Sequence, residues 1–318
     1  MSAGSAISAR REESVAGLDK SFPLNKVRAL QWTRYRCAKQ EPERRFNALY
    51  GHVHRMDVLW RAWTSVYTNR GAPGADGVSV DAVAAAEVEV CLRALSEQLR
   101  THTYRPSVLR RVQIPKLGRP GELRPLLIPT VADRVVMKAA QLVLEPVFEA
   151  NFTEASYGFR PRRSAIDACE AVRTAANQGG EWVFGAKIRD CFGTIGHDAL
   201  MAEVARRVVD RSKLKLIRGW LRMGVLDGGV TSPTGAGTPQ GSPISPLLVN
   251  VALHVLDEAW QEHGRRLGRL VRFCDDFVVL SPTRDRAEKA RDLAAHVLGT
   301  LGMRLHPGKS GIICLSRG

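Results

Sequence analysis

Asp275 and Asp276 are adjacent, and apolar runs flank them: Val271-Arg272-Phe273-Cys274 before and Phe277-Val278-Val279-Leu280 after. Apolar strands meeting at a short acidic pair predict a β-hairpin with the carboxylates at its turn. Adjacent carboxylates repel each other, so such a turn is useful where cations gather. Hard divalent ions such as Mg²⁺ take carboxylate oxygens together with substrate phosphates. Alone, the pair also fits an ordinary Asp-rich turn; its setting between apolar strands in a basic chain is what favours the metal.

A second segment, Gly237-Thr238-Pro239-Gln240-Gly241-Ser242-Pro243-Ile244-Ser245-Pro246, runs into a long apolar stretch. Its two Ser-Pro pairs are N-cap signatures with proline at the first helical position. Gln240 and Gly241 then precede a helix N-terminus, whose free N–H groups and dipole favour a phosphate or a base edge. A plain loop-to-helix start is the alternative. Lys116 and Arg124 bracket a Gly/Pro-containing loop, 117–123, and could clamp a triphosphate from the two feet of a hairpin. A solvated basic loop has the same composition. Arg160, Arg162 and Arg163 belong to an aromatic–basic cluster, Ser156–Ser164, that enters a helix. Stacking plus phosphate contact would suit nucleic acid there, with surface arginines as the alternative.

The elements that must position these groups can be outlined. Loose helical spacing over 21–66 predicts two helices with basic outer faces. Asn69–Gly77 is turn-rich and reads as a loop, and 79–100 returns to a helical pattern. Short apolar runs at 108–114 and 126–128 predict two strands joined by the basic loop. Helices are expected over 131–148, 164–177, 198–223, about 244–262 and 284–299. Strands are expected from Trp182 towards Ile188, over the 271–280 hairpin, and from Arg304 to Leu315, while 227–243 reads as a Gly/Pro/Thr loop. Helical runs segregated from an antiparallel hairpin place the chain in the α+β class.

The composition, 44% hydrophobic and 25% charged, excludes disordered, collagenous and fibrous chains. No run approaches 18 apolar residues, so no membrane span is expected. An N-terminus without an apolar signal core points to a cytoplasmic protein, and residues 1–20, small and polar, are expected to be flexible. Six scattered cysteines with no Cys-x-x-Cys pair fit reduced thiols. The formal net charge is +15, which favours a polyanionic partner, most often nucleic acid.

Six segments, Asn69–Gly77, Tyr104–Pro129, Ser156–Ser164, Gly237–Leu248, Phe273–Asp276 and Leu305–Lys309, follow one order and spacing. In these the chain resembles bacterial group II intron-encoded reverse transcriptases (maturases) from about residue 25 onward. The resemblance implies a right-hand polymerase: an N-terminal extension and fingers over 21–180, and a palm with an antiparallel sheet and packed helices over 181–318. It implies RNA-directed DNA synthesis from a DNA primer on an RNA template or intron RNA. Deoxynucleoside triphosphates would be the substrates and two Mg²⁺ ions, or Mn²⁺ in their place, the cofactors. By the same resemblance Asp275 and Asp276 are catalytic metal ligands, and Lys116 and Arg124 face the triphosphate. Phe192, or its neighbour Cys191, lies near the sugar, and Gln240 and Gly241 line the nucleotide pocket. Arg160, Arg162, Arg163 and Lys309 are expected to contact nucleic acid.

Two departures stand out. The family's first palm strand presents Asp-Ala-Asp-Ile, its second Asp being the third metal ligand; here it reads Gly185-Ala186-Lys187-Ile188. Lys187 thus occupies a metal-ligand position and swings the local charge by two units, so catalysis is expected to be impaired. Asp190, three residues on, would point to the opposite face of a strand and is a poor substitute. Lys187 is instead expected to face Asp275 and Asp276 as an ion pair replacing a metal. The second departure is at the C-terminus: Gly318 falls where the palm closes, so the thumb and maturase segment are expected to be missing. Phe273-Cys274 also replaces the family's Tyr-Ala, a mild change. The alternative function is a non-catalytic RNA-binding protein that assists intron folding or splicing.

Overall fold

The computed structural model describes residues 22–115 and 121–317; the expected flexible N-terminus and Lys116 lie outside that range. Helices α1 (Phe22–Gln40), α2 (Tyr50–Val53), α3 (Met56–Asn69), α4 (Val80–Ala85) and α5 (Val88–Arg100) come first. Strands β1 (Leu109–Pro115) and β2 (Leu123–Ile128) follow, then α6 (Val131–Glu149), against which α1 and α3 pack. Helix α6 is apolar nearly all round, the pattern of a helix enclosed on every side. Its N-terminus is capped by Thr130, whose hydroxyl accepts from Asp133 N at 3.1 Å.

The second half runs α7 (Ala165–Asn177), β3 (Trp182–Lys187), α8 (Cys191–Thr194), α9 (His197–Arg207), α10 (Arg211–Leu221), β4 (Val225–Asp227) and β5 (Val230–Ser232). It continues through α11 (Ser245–Ala259), β6 (Arg269–Phe273), β7 (Asp276–Ser281), α12 (Arg284–Thr300) and β8 (Gly311–Cys314). One sheet has the order β6-β7-β3-β8 and is antiparallel throughout. Helix α7 packs on β6 and β7, and α12 packs against β3, β7 and β8. The other sheet, β2-β1-β4-β5, is mixed, because β1 pairs parallel with β4. One hydrophobic core extends from Val27 in α1 to Met303 after α12. Among the described residues no helix is long and apolar enough to cross a membrane.

The α+β architecture with an antiparallel palm sheet matches the sequence expectation, and the differences are local. The helix expected over 79–100 breaks at Glu87, which takes a left-handed φ of 48°. The one expected over 198–223 breaks at Asp210, whose carboxylate accepts from Lys213 N at 3.0 Å and starts α10. The loop expected over 227–243 begins inside a hairpin. Gly228 and Gly229 take φ of 55° and 87°, as a two-residue turn between β4 and β5 requires. The final strand is shorter than expected, since Pro307–Lys309 form a 3₁₀ turn before β8.

Candidate active site

Phe273 pairs opposite Asp276, so Cys274 and Asp275 form the loop of the β6–β7 hairpin and Asp276 opens β7. Cys274 takes φ 58°, a conformation that disfavours a non-glycine residue by about 1–2 kcal/mol. Packing beneath the turn holds it there. Arg272 is fully buried, and its Nε and Nη2 donate to the two carboxylate oxygens of Asp257 at 2.9 and 2.5 Å. Its Nη1 donates to Asn250 Oδ1 at 3.1 Å and to Cys274 O at 3.2 Å, and its Nη2 also reaches Ser156 Oγ at 2.8 Å. Burial pushes the Asp257 carboxyl up, but the Arg272 guanidinium outweighs it and holds the group below the usual carboxylate range. The segment before α7 lies along β6, with Tyr157 N donating to Arg272 O at 2.8 Å. A Cβ on Gly158 would fall 2.6 Å from Cys274 N, so this close approach needs glycine.

Strand β3 lies on the other side of β7, with Lys187 directly opposite Asp276. Lys187 Nζ is 2.7 Å from Asp275 Oδ2 and 2.8 Å from Asp276 Oδ2, and it also donates to Asp276 Oδ1 at 3.0 Å. One ammonium therefore bridges both carboxylates. Partial burial lowers the Lys187 pKa, but the hydrogen bonds to Asp275 and Asp276 prevail and hold it above the ordinary lysine value. The backbone tightens the same corner: Ile188 N donates to Asp275 O at 2.9 Å and His306 N to Lys187 O at 2.7 Å. Asp190 takes a left-handed φ of 43° and its carboxylate folds over Gly193. Two thiols lie close by, Cys191 and Cys274. Burial pushes both up, Cys274 to about 12, so neither is a nucleophile at neutral pH.

The structure brings several other expected residues together. The 237–241 loop is wedged between α8 and β2: Thr238 N donates to Phe192 O at 2.6 Å and Leu127 N to Gln240 O at 2.8 Å. Gly241, at φ 118°, presses on Leu126 and on Leu127 O so closely that a Cβ would lie 2.8 Å from that oxygen. Arg124, exposed, shares a strand face with Leu126 by the two-residue period. Phe192, Gln240 and Gly241 thus belong to one neighbourhood, with Arg124 two residues along β2 from Leu126. Lys309, also exposed, lines a groove of ≈ 650 Å³ on the palm sheet together with Phe273, Gly185 and Asp276.

Arg160 is not placed to meet nucleic acid. It is only 8% exposed, and its guanidinium is spent on Glu149 at 2.7 Å and on Thr153 O and Ser156 O at 2.5 and 2.8 Å. Arg163 pairs with Glu154 and lies over the Tyr157 ring at 5.1 Å, whereas Arg162 is exposed with φ 60°. The buried Arg272–Asp257–Asn250–Ser156 network was not foreseen. Its signal in the sequence is the lone charge inside the apolar strand Leu270-Val271-Arg272-Phe273.

A carboxylate hairpin flanked by a third antiparallel strand, with helices packed against the sheet, defines a polymerase-type palm. Residues 114–317 match the family model described as "Reverse transcriptase (RNA-dependent DNA polymerase)", and the chain belongs to that family. It is 32% identical over 313 residues to Protein YkfC of Escherichia coli (strain K12), covering 86% of this chain and 81% of that protein. It is 33% identical over 213 residues to the Group II intron-encoded protein LtrA of Lactococcus lactis subsp. cremoris, covering 67% of this chain but only 35% of LtrA. A chain of a solved Cas6-RT-Cas1--Cas2 complex aligns at 23% identity and TM-score 0.46, over 78% of this chain and 40% of that one.

The family generally uses divalent metal ions, and the donor set here does not fit a pair of them. A two-metal site needs shared carboxylates around both ions. In this site an ammonium sits between the two carboxylates, at hydrogen-bonding distance from each. Among the described residues no group of three or more His, Cys, Asp or Glu could hold a metal.

Proposed function

We propose that this protein is an RNA-binding, group II intron-type member of the reverse transcriptase family in which nucleotidyl transfer is impaired by Lys187. The observation that carries the reading is the Lys187 ammonium, 2.7 Å from Asp275 and 2.8 Å from Asp276. It supplies internally the positive charge that the two carboxylates would otherwise draw from metal ions. Phe192, Gln240 and Gly241, which the resemblance assigns to a nucleotide pocket, lie in one backbone-bonded neighbourhood, which supports a site disabled at the metal position and not one dismantled as a whole. Net charge +15 supports RNA as the partner. The role that fits is maturase-like, assisting the folding or splicing of an intron RNA.

Primer extension on an RNA template, with deoxynucleoside triphosphates and Mg²⁺ or Mn²⁺, tests the catalytic half. The wild type should extend poorly, and Lys187→Asp should extend better in a manner that Asp275→Ala abolishes. Robust wild-type synthesis lost on Asp275→Ala would refute impairment. RNA affinity against salt tests the binding half. Six or more phosphate contacts should weaken binding by roughly 10³ or more between 50 and 200 mM salt, and a flat response would refute RNA binding.

A further inference from the structure

Helix α10 carries Arg211, Lys215, Arg218 and Arg222 at its exposed surface, the last as its C-terminal cap. The spacings of 4, 3 and 4 put these four cations on one face, along about 16 Å of helix. The other face is buried through Leu216, Ile217, Trp220 and Leu221. No acidic residue occurs between Arg211 and Arg222. The nearest acid, Asp210, is turned inward, where its carboxylate accepts from Leu49 N, Tyr50 N and Lys213 N.

Helices α5, α7 and α12 balance their cations, whereas α1, like α10, carries cations and no acidic residue. Arg93 pairs with Glu89, Arg173 with Glu170, Arg284 with Glu288 and Lys289 with Asp285. The four α10 cations make no ion pair among the described residues. They flank a cavity of ≈ 800 Å³ that Arg105 also lines, and no carboxylate lines it. Cations gathered without counter-charge around a concave surface raise the local potential and attract a polyanion.

The same cavity holds an aromatic platform. Tyr50 donates its hydroxyl to Leu99 O at 2.9 Å, and its ring stacks on that of His102 at 4.9 Å and 21°. His102 is exposed, with φ 58°. Phosphate-spaced cations beside an exposed, fixed ring are what an unpaired nucleotide strand recognises, since every base has a face to stack. An acidic peptide would match the charge but leave the platform unused.

We infer that the basic groove along α10 is a second RNA-binding surface, which holds a run of phosphates from a single-stranded or looped RNA segment with a base packed on His102. It shares no residue with the groove beside Asp276. The inference rests on the RNA-binding reading above. It adds where, apart from the palm, the RNA is held.

The test is fluorescence anisotropy with labelled polyuridylate and a labelled RNA hairpin with an unpaired loop, across a salt series. Three proteins are compared with the wild type: Arg211→Gln/Lys215→Gln/Arg218→Gln/Arg222→Gln, His102→Ala, and the palm-side control Arg162→Gln/Lys309→Gln. Circular dichroism checks that each is folded. Losing four phosphate contacts should lower the slope of log K against log salt by about 3 for single strands. Between 50 and 200 mM salt the wild type should therefore lose about 50-fold more affinity than the quadruple variant. His102→Ala should weaken binding by about tenfold and leave the slope unchanged. A quadruple variant with wild-type affinity and slope would overturn the inference alone. So would a groove that binds poly-glutamate in preference to either RNA. Absence of RNA binding by the wild type would overturn both this inference and the reading beneath it.

Discussion

Lys187→Asp should create a divalent-ion site that the wild type lacks. In a water-like dielectric, a unit charge about 4 Å from a doubly charged ion is worth about 2 kcal/mol. The substitution changes the local charge by two units, so it should favour the ion by about 4 kcal/mol, or roughly a thousandfold in affinity. The aqueous figure is a lower bound here, because the Lys187 and Asp275 side chains are only 29% and 22% exposed. Free Mn²⁺ can be followed by its electron paramagnetic resonance signal during titration. Thermal melts give a second readout. Without metal the variant gathers three carboxylates and should melt below the wild type, and Mg²⁺ or Mn²⁺ should restore it. The wild-type melting temperature should not respond to EDTA. The reasoning fails if the wild type binds Mn²⁺ through Asp275, or if Lys187→Asp binds it no more than threefold tighter.

Arg272→Met should destabilise the fold by about 3–5 kcal/mol in urea, because it strips the buried Asp257 carboxylate of its guanidinium partner. The double variant Arg272→Met/Asp257→Leu should recover much of that loss, and a double variant as unstable as the single one would contradict this account. Gly158→Ala should cost about 1–3 kcal/mol, since its Cβ would meet backbone at the carboxylate turn; melting at the wild-type temperature would argue against that close approach. Lys213 is fully buried with no partner for its ammonium, and burial lowers its pKa to about 7. The unfolded chain keeps the ordinary lysine value, so between pH 7 and about 10.4 it binds more protons than the folded chain, and stability rises with pH. Lys213→Met should therefore stabilise most below pH 7, by at most ~5 kcal/mol, with the advantage shrinking towards pH 10. Denaturation curves at a series of pH values would show a constant gap if that assignment were wrong.

The carboxylate hairpin was legible because alternation and a polar turn are local properties, readable within ten residues. Helices α6 and α12 were legible for the same reason. What the sequence hid depends on register and on contacts distant along the chain. The β4–β5 hairpin was concealed because its strands are three residues each, too short to show a period, although Gly228-Gly229 marks the turn. Arg160 looked like a surface cation because its partner, Glu149, lies in a preceding helix. The basic face of α10 was visible as composition, but its lack of counter-charge became clear only when Asp210 proved to point inward.

The register of β3 against β7 turns Lys187 from an oddity of sequence into a physical argument. A one-residue slip would place its side chain on the opposite face of the sheet. The Lys187↔Asp276 pairing is fixed by the strand on both flanks, since β3 also pairs with β8. Two adjacent carboxylates on a strained turn are stabilised by a nearby positive charge, whether from a metal or from a side chain. An ammonium meets the electrostatic requirement of the fold without meeting that of two-metal chemistry. On the reading proposed above, the palm sheet keeps its register with an ammonium where the family's third metal ligand is expected. Lys187→Ala separates the two requirements. It removes the bridging cation without adding a ligand, so it should destabilise the apo-protein while leaving primer extension as weak as in the wild type. A Lys187→Ala protein that melts no lower than the wild type would show that the ion pair does not hold the turn.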